Sequence, residues 1–429
     1  MKIKLKNIDI NIFFIFFLFY ILILIGFFFN EDSLGGAKSD FNHYYKISLS
    51  FAENFLTTFR EFDTEEAKIV TRNSPIFWII LSQVSKFISY DFLRIINSVV
   101  SIFICYYFFK CLKLRYKKIK DYILILISCS VFLSPTIRSL SIWPYPLIWG
   151  LLFFVISIFH FLKFLESKQN EEKFKQSLIT IFFVVISAYI HPAFGIFFIF
   201  YFINFYYFFN FNKKILLLLI FSLILSVPFL FYIYSKDIFT TFESAQGISM
   251  DDFNSFNISN KILIISAMTF FFIAPVLNFK LIKEELNNLK AIEMVSIITF
   301  CLINIYFFNY PKYDSGFGGG FFYKLSNILF QNNYLFYLFS SFSILYIYTI
   351  RKLIKKKINN SIVFLSLILF TPQLTIYHKY YDPLILIIFM TLINFDFKKH
   401  YFDKKNNTLQ LYFFGISYLL IGLFKSQVY

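Results

Sequence analysis

Long apolar runs separated by short polar intervals recur from one end of the chain to the other. A helix needs about 20 apolar residues to cross a hydrocarbon core of roughly 30 Å. On that measure spans are predicted at roughly 12–29, 92–112, 121–135, 143–164, 177–190, 192–209, 215–234, 261–278, 292–309, 328–350, 361–377, 383–396 and 408–425. The runs at 177–190, 361–377 and 383–396 are short for such a core, so tilt, kinks or partial re-entry are expected there. The apolar piece Ile76 to Ile88 is short, amphipathic and preceded by Ser74-Pro75, a helix-start signal. It is read as an interfacial helix. The predicted fold is all-α: a polytopic transmembrane bundle of about 13 spans forming a single integral membrane domain over 1–429. One long polar interval, 30–91, is expected to carry juxtamembrane helices.

Charge fixes the expected orientation. With 58% hydrophobic and only 15% charged residues, the chain lies outside the range of soluble domains. If Ile76 to Ile88 were a full span, Lys110, Lys113, Arg115, Lys117, Lys118 and Lys120 would fall on the outside, against the positive-inside rule. Reading it as interfacial puts most of the 41 Lys and Arg in cytoplasmic loops, with the N-terminus cytoplasmic and 30–91 outside. The net charge of +16 then reflects membrane orientation, and no nucleic-acid partner is called for. Lys2, Lys4 and Lys6 before the first run resemble a signal peptide, but the run is long and lacks a clean small-residue cleavage site, so a retained anchor is expected. Compact loops point to a bacterial inner membrane. The sequons at Asn359 and Asn406 fall in cytoplasmic loops. Cys105, Cys111, Cys129 and Cys301 lie in or at the ends of apolar runs without metal-ligand spacing and read as buried small hydrophobes. The abundance of Phe and Tyr matches A/T-rich coding and says nothing about a ligand.

Chemistry in water can be assembled only in the outer polar intervals. Asp40 follows the first span by about ten residues, after Gly35-Gly36, where the backbone can turn back toward the membrane. A partly desolvated carboxylate there could take a proton from a substrate hydroxyl, or could simply cap the helix that follows. Glu31 and Asp32 are rival bases, although their place at the span end suits an interfacial role. His43 would share the Asp40 face of a helix. Arg138, after Ser134-Pro135, offers a guanidinium suited to phosphate, or a snorkelling cation. Trp143 and Tyr145 read as interfacial belt residues. His191-Pro192 marks an outer turn. Residues 310–327 carry Gly318-Gly319-Gly320 and then Lys324, either a lid or phosphate cradle or an ordinary loop. His378-Lys379 lies between two short spans, where Lys379 could hold a lipid phosphate or neutralise Asp382.

The order of these features resembles the GT-C class of membrane glycosyltransferases. It comprises a first span, a long external loop with an early acidic residue, the Pro-led helix Ser74-Pro75-Ile76-Phe77 and the entry Asp91-Phe92-Leu93-Arg94. The likeness covers the first hundred residues by pattern and the remainder by topology. It implies inverting transfer of a sugar from a polyprenyl-phosphate donor to a lipid-linked or cell-envelope glycan acceptor. The catalytic base would be Asp40, and His43, Arg138, His191, Lys324, His378 and Lys379 would be substrate-binding. No acidic pair stands at Asp40 as it often does in the class, which keeps Glu31, Asp32 and Asp63 as alternatives. No cofactor is called for, a divalent metal being an option. Two other readings compete: an O-antigen or exopolysaccharide polymerase or ligase, which would lean on Arg and His, and a transporter or lipid flippase. A transporter would place ionisable groups near the bilayer midplane, often in repeated halves. Here charges cluster at span ends and no repeat is apparent.

Overall fold

A computed structural model describes residues 5–61, 74–236, 258–276, 279–310, 318–352, 357–371, 375–393 and 406–428. Among them every regular element is helical. Contacts divide the chain into two compact units, Met1–Ile248 with Leu411–Tyr429, and Ser249–Gln410.

The first unit contains α1 (Leu5–Phe28), α2 (Ala37–Glu53), α3 (Phe55–Glu61), α4 (Pro75–Ser85), α5 (Tyr90–Arg115), α6 (Asp121–Cys129), α7 (Pro135–Ile142), α8 (Pro146–Glu166), α9 (Asn170–Ile190), α10 (Phe197–Phe209) and α11 (Lys213–Lys236). The second holds α12 (Ile258–Ile273), α13 (Phe279–Asn287), α14 (Ala291–Tyr306), α15 (Gly320–Phe330), α16 (Tyr334–Lys352), α17 (Lys357–Ile368) and α18 (Leu384–Thr391). Helix α19 (Asn406–Val428) returns most of its length to the first unit. Among the described residues six stretches are long and apolar enough to cross a membrane: Tyr90–Arg115, Pro146–Glu166, Asn170–Ile190, Pro192–Phe209, Lys213–Tyr232 and Ile258–Val276. The broken pair Asp121–Leu133 and Pro135–Ile142, bent by 67°, makes a seventh if it is one span. The chain is therefore a helical membrane protein.

Local sequence explains several helix ends. Helix α4 starts at Pro75 with the Ser74 hydroxyl accepting from the Ile76 N–H at 3.3 Å, as the Ser-Pro pair predicts. Ser134-Pro135 opens α7 in the same way, Ser134 accepting from the Ile137 N–H at 3.1 Å. The apolar run read as one span over 328–350 is broken at Gln331, which sits in the left-handed region at φ 53°. There Ser326 and Asn332 take over the backbone: the Ser326 hydroxyl donates to the Asn332 carbonyl at 2.7 Å and accepts from the Phe336 N–H at 3.1 Å. Side-chain bonds of this kind compete with helix continuation.

The charged groups of the first unit gather at two opposite helix ends. Lys113 pairs with Asp121 at 2.7 Å, Lys117 with Glu166 at 2.9 Å and Lys214 with Glu171 at 2.6 Å, at the α5–α6, α8 and α9–α11 ends. Asp91 and Arg94 lie at the other end of α5 and His191 at the other end of α9, while Glu31 follows α1 and Arg138 lies within α7. The helix shafts between are lined by Phe, Ile and Leu, such as the ring cluster of Phe161, Tyr201 and Phe205.

Candidate active site

The polar end of the first unit is built around α7. This helix has eight residues, all buried, and runs about 12 Å. A short helix inside a membrane protein must satisfy its end groups within the protein. Its N-terminal end has Ser134. At its C-terminal end the Asn97 amide donates to the carbonyls of Leu140 at 2.8 Å and Ser141 at 2.7 Å, and Arg94 Nε donates to the Ile142 carbonyl at 3.3 Å. Asn97 is itself held by the Trp149 indole N–H at 2.8 Å. Arg94 adds a favourable charge at a helix C-terminus. Its guanidinium also meets Asp91 at 3.1 Å and Asn30 at 2.9 Å, and lies 3.8 Å from the Trp143 ring centroid.

The loop after α1 is stitched to α7. Arg138 Nε donates to Glu31 Oε1 at 2.7 Å, Nη2 donates to Glu31 Oε2 and Nη2 also reaches the Leu22 carbonyl at 3.1 Å. Arg138 is 6% exposed and Glu31 is buried with it. The Ser139 hydroxyl accepts from the Leu34 N–H at 2.8 Å and lies 3.2 Å from the Ser33 hydroxyl. The Trp143 indole N–H donates to the Glu31 carbonyl at 2.9 Å. Trp143, read from sequence as a membrane-belt residue, is 1% exposed, and Tyr145 is also buried. The reason is local: the indole has its polar partner inside the protein, so no interface is needed to satisfy it.

Gly26 makes the ion pair possible. A Cβ there would overlap the Glu31 carboxylate, and would stand 3.1 Å from Ile142 and 3.2 Å from Arg138 Nη2. Gly26→Ala is therefore expected to lower unfolding stability by about 1–3 kcal/mol, the usual cost of overpacking. Gly195→Ala, whose Cβ would meet only Ala188 at 3.4 Å, should be close to neutral in the same thermal unfolding assay.

Asp32 starts α2. Its carboxylate accepts from the N–H groups of Gly36 at 2.9 Å, Ala37 at 3.1 Å and Lys38 at 3.1 Å, so the orphan donors of the first turn are satisfied from upstream. Gly35 and Gly36 turn the chain at φ 75° and 105°. Asp40 is therefore not the cap; it lies half-buried within the first turn of α2, where a negative charge suits the helix dipole. Helix α2 is docked by aromatic side chains and packs along α4. Phe41 is buried between Tyr90 and Trp143, with centroids at 5.2 and 6.3 Å, and Tyr44 stacks on Trp78 at 4.6 Å. Asp40 and Tyr44 are four residues apart and share a helix face.

The remaining predicted residues are dispersed. His43 is exposed on α2 with its ring beside Tyr44. His191 is buried at the C-terminal end of α9 against Phe194, in the same unit. Lys324, His378 and Lys379 belong to the second unit. There Lys324 is half-buried on α15, His378 lies 4.9 Å from the Phe272 ring, and Lys379 lies over Tyr377 at 5.5 Å. Asp63 lies outside the described residues. Among the described residues no group of three or more His, Cys, Asp or Glu could hold a metal ion, and the four cysteines are buried and free. The glycines read as a lid or cradle are buried and tightly packed: Gly319 N–H donates to the Ile376 carbonyl at 2.9 Å, and a Cβ on Gly320 would lie 2.8 Å from Met268. The Tyr310 hydroxyl accepts from the Ile376 N–H at 3.0 Å, and burial raises its pKa.

Sequence reasoning passed over Lys261, which it placed at the first position of a span. The lysine is buried in the second unit with Nζ on the Thr371 carbonyl at 2.7 Å. Its only signal in the sequence is a charge at the start of an apolar run.

No protein-family model, curated protein or solved structure matches this chain.

Proposed function

We propose that the chain is a membrane glycosyltransferase that moves a sugar from a polyprenyl-phosphate donor to a lipid-linked or cell-envelope acceptor, with inversion, and that Asp40 is its general base. The observation that carries this reading is where the acidic residues after α1 lie. Glu31 gives both carboxylate oxygens to Arg138, and Asp32 gives its carboxylate to three backbone N–H groups. Carboxylates committed in this way hold the scaffold. Asp40 is the one of the three described candidates that lies within a docked juxtamembrane helix at the polar end of the unit. A site on a rigid element anchored to buried structure suits positioned proton transfer.

In this mechanism the acceptor hydroxyl attacks the anomeric carbon from the side opposite the phosphate. Its proton passes to the Asp40 carboxylate as the new C–O bond forms. The bond from the anomeric carbon to the phosphate oxygen breaks with its electron pair leaving on the phosphate, through an oxocarbenium-like state. Arg138 acts through Glu31 as a positioning residue. The basic ends carrying Lys113, Lys117 and Lys214 would face the cytoplasm, with Asp40 outside, in a bacterial inner membrane. The finer count of about 13 spans, α2 and α4 lying at the interface, belongs to the same reading.

The test is to reconstitute the protein in vesicles with a panel of polyprenyl-phosphate hexoses and glycan or lipid-linked acceptors. The expected result is acceptor-dependent release of polyprenyl phosphate, read by mass spectrometry. Movement of the lipid across the bilayer without any cleavage would replace the enzyme reading with a transporter.

A further inference from the structure

Helix α4 carries apolar residues on two sides, and among the described residues only one side is covered. With eleven residues it runs about 16 Å, half of the roughly 30 Å that a bilayer core requires, so it does not cross. Its inner side packs on α2, where Trp78 and Leu81 are buried and Trp78 stacks on Tyr44 at 4.6 Å. On the outer side Ile76, Ile80 and Val84 recur at every fourth position and Phe87 follows three further on, so the four share one face. Ile76 and Val84 are half-buried, Ile80 is 53% exposed and Phe87 is 86% exposed. Pro75–Ser85 contains no Lys, Arg, Asp or Glu. Gln83 is the polar residue on that side, and it accepts from Lys86 Nζ at 3.1 Å at the helix end. A helix resting on a membrane surface turns a charged face to the water. Helix α4 has no charge to turn.

Helix α2 shows the opposite arrangement. Its exposed positions hold Lys38, Ser39, Asn42, His43, Lys46 and Glu53, with Leu49 the one large apolar residue among them. The α2–α4 pair is therefore polar on its α2 side and apolar on its α4 side. Nor does the apolar row stop with α4. Helix α5 begins three residues after Phe87 and is long and apolar enough to span. Phe92, Ile95, Ile96 and Phe103 are exposed along it, and on a spanning helix such side chains meet lipid.

We propose that the outer face of α4, from Ile76 to Phe87, is a lipid-contact surface covered by bilayer acyl chains. Helix α4 then lies within the hydrocarbon of one leaflet without crossing it, and α2 faces water above it. Hydrocarbon is the occupant because the row is uncharged and runs directly into the lipid face of α5. A helix satisfies its backbone groups internally, so its immersion leaves no polar backbone stranded along the shaft. This refines the interfacial placement of α4 and does not involve the reaction, so it stands or fails independently of Asp40.

The experiment places a bimane label on single introduced cysteines of the full-length protein, reconstituted in phosphatidylcholine vesicles with doxyl-labelled lipid in the bilayer and iodide in the water. The four native cysteines are buried, so the label goes to the introduced one. Ile80→Cys and Phe87→Cys report on α4, Ser39→Cys is the water reference on α2, and Phe103→Cys is the lipid reference on α5. The expected result is that both α4 labels emit as far to the blue as the Phe103→Cys label, are quenched by the doxyl lipid as strongly, and escape iodide, which quenches the Ser39→Cys label. Quenching of the α4 labels by iodide as strong as at Ser39→Cys overturns the proposal in favour of a water-facing helix. Quenching by neither agent overturns it in favour of a protein cover, from this chain or a second copy. Should the α4 variants fail to fold, a carbene-generating phospholipid in wild-type vesicles gives the same answer: modification of the peptide spanning Ile76 to Phe87 supports the surface, and its absence overturns it.

Discussion

Asp40→Asn is expected to lower sugar transfer by about 10²–10⁴-fold, the range in which a positioned general base contributes, while the folded yield and Tm stay at the wild-type level. The substitution keeps the side-chain shape, and the helix that carries it is held by other groups: the Asp32 carboxylate on three N–H groups, Phe41 between Tyr90 and Trp143, and Tyr44 on Trp78. The comparison that gives the result meaning is Asp32→Asn. Asp32 organises the start of α2, so its loss should cost about 0.5–2 kcal/mol of stability, as loss of a helix cap does, and should lower the rate only through a looser α2. A full rate in Asp40→Asn, measured in the vesicle assay, would remove Asp40 as the base and leave Asp63 as the remaining acidic candidate from the sequence.

Features written in adjacent residues were legible without the structure. Ser74-Pro75 marked the start of α4, and Gly35-Gly36 marked the turn into α2. These signals are local because caps and positive φ are properties of one or two residues. Asp32 as the acceptor that caps α2 was harder to read, since it acts from four to six residues upstream across the glycine turn. The site itself depends on pairings with no local signal. Glu31 and Arg138 are 107 positions apart, and Asn97 caps carbonyls more than 40 positions away. Burial was equally hidden. Trp143 and Tyr145 sit in a Pro-rich turn at a span end, the usual setting of belt residues, and only the fold supplies the Glu31 carbonyl that lets Trp143 go inside. Lys261 shows the converse: a charge at a span boundary is ordinary in sequence, and becomes informative only when its side chain is found buried on the Thr371 carbonyl.

Breaking the Glu31–Arg138 pair should produce the largest loss of stability in the first unit. Both groups are buried, and the guanidinium reaches Glu31 with two donors and the Leu22 carbonyl with one of them. Glu31→Gln leaves a buried arginine without its anion, and Arg138→Gln leaves a buried carboxylate without its cation. Either single change should cost roughly 3–5 kcal/mol, because removing one partner of a buried pair strands the other in a medium that solvates it poorly. The consequence should spread, since Ser33 and Leu34 on the same loop are tied to Ser139 one residue after Arg138. The double variant Glu31→Gln with Arg138→Gln removes both charges and should recover most of that loss, as neutral replacements of buried pairs often do. Reversible unfolding in mixed micelles gives the three stabilities in one experiment. If the double variant is as unstable as the sum of the singles, the two residues act independently and the pair does not hold the loop; recovery in the double variant identifies the pair as the clasp that fixes the loop between α1 and α2 to α7. That clasp also explains why Gly26 faces it: the approach of α1 leaves no room for a methyl group beside the two charges.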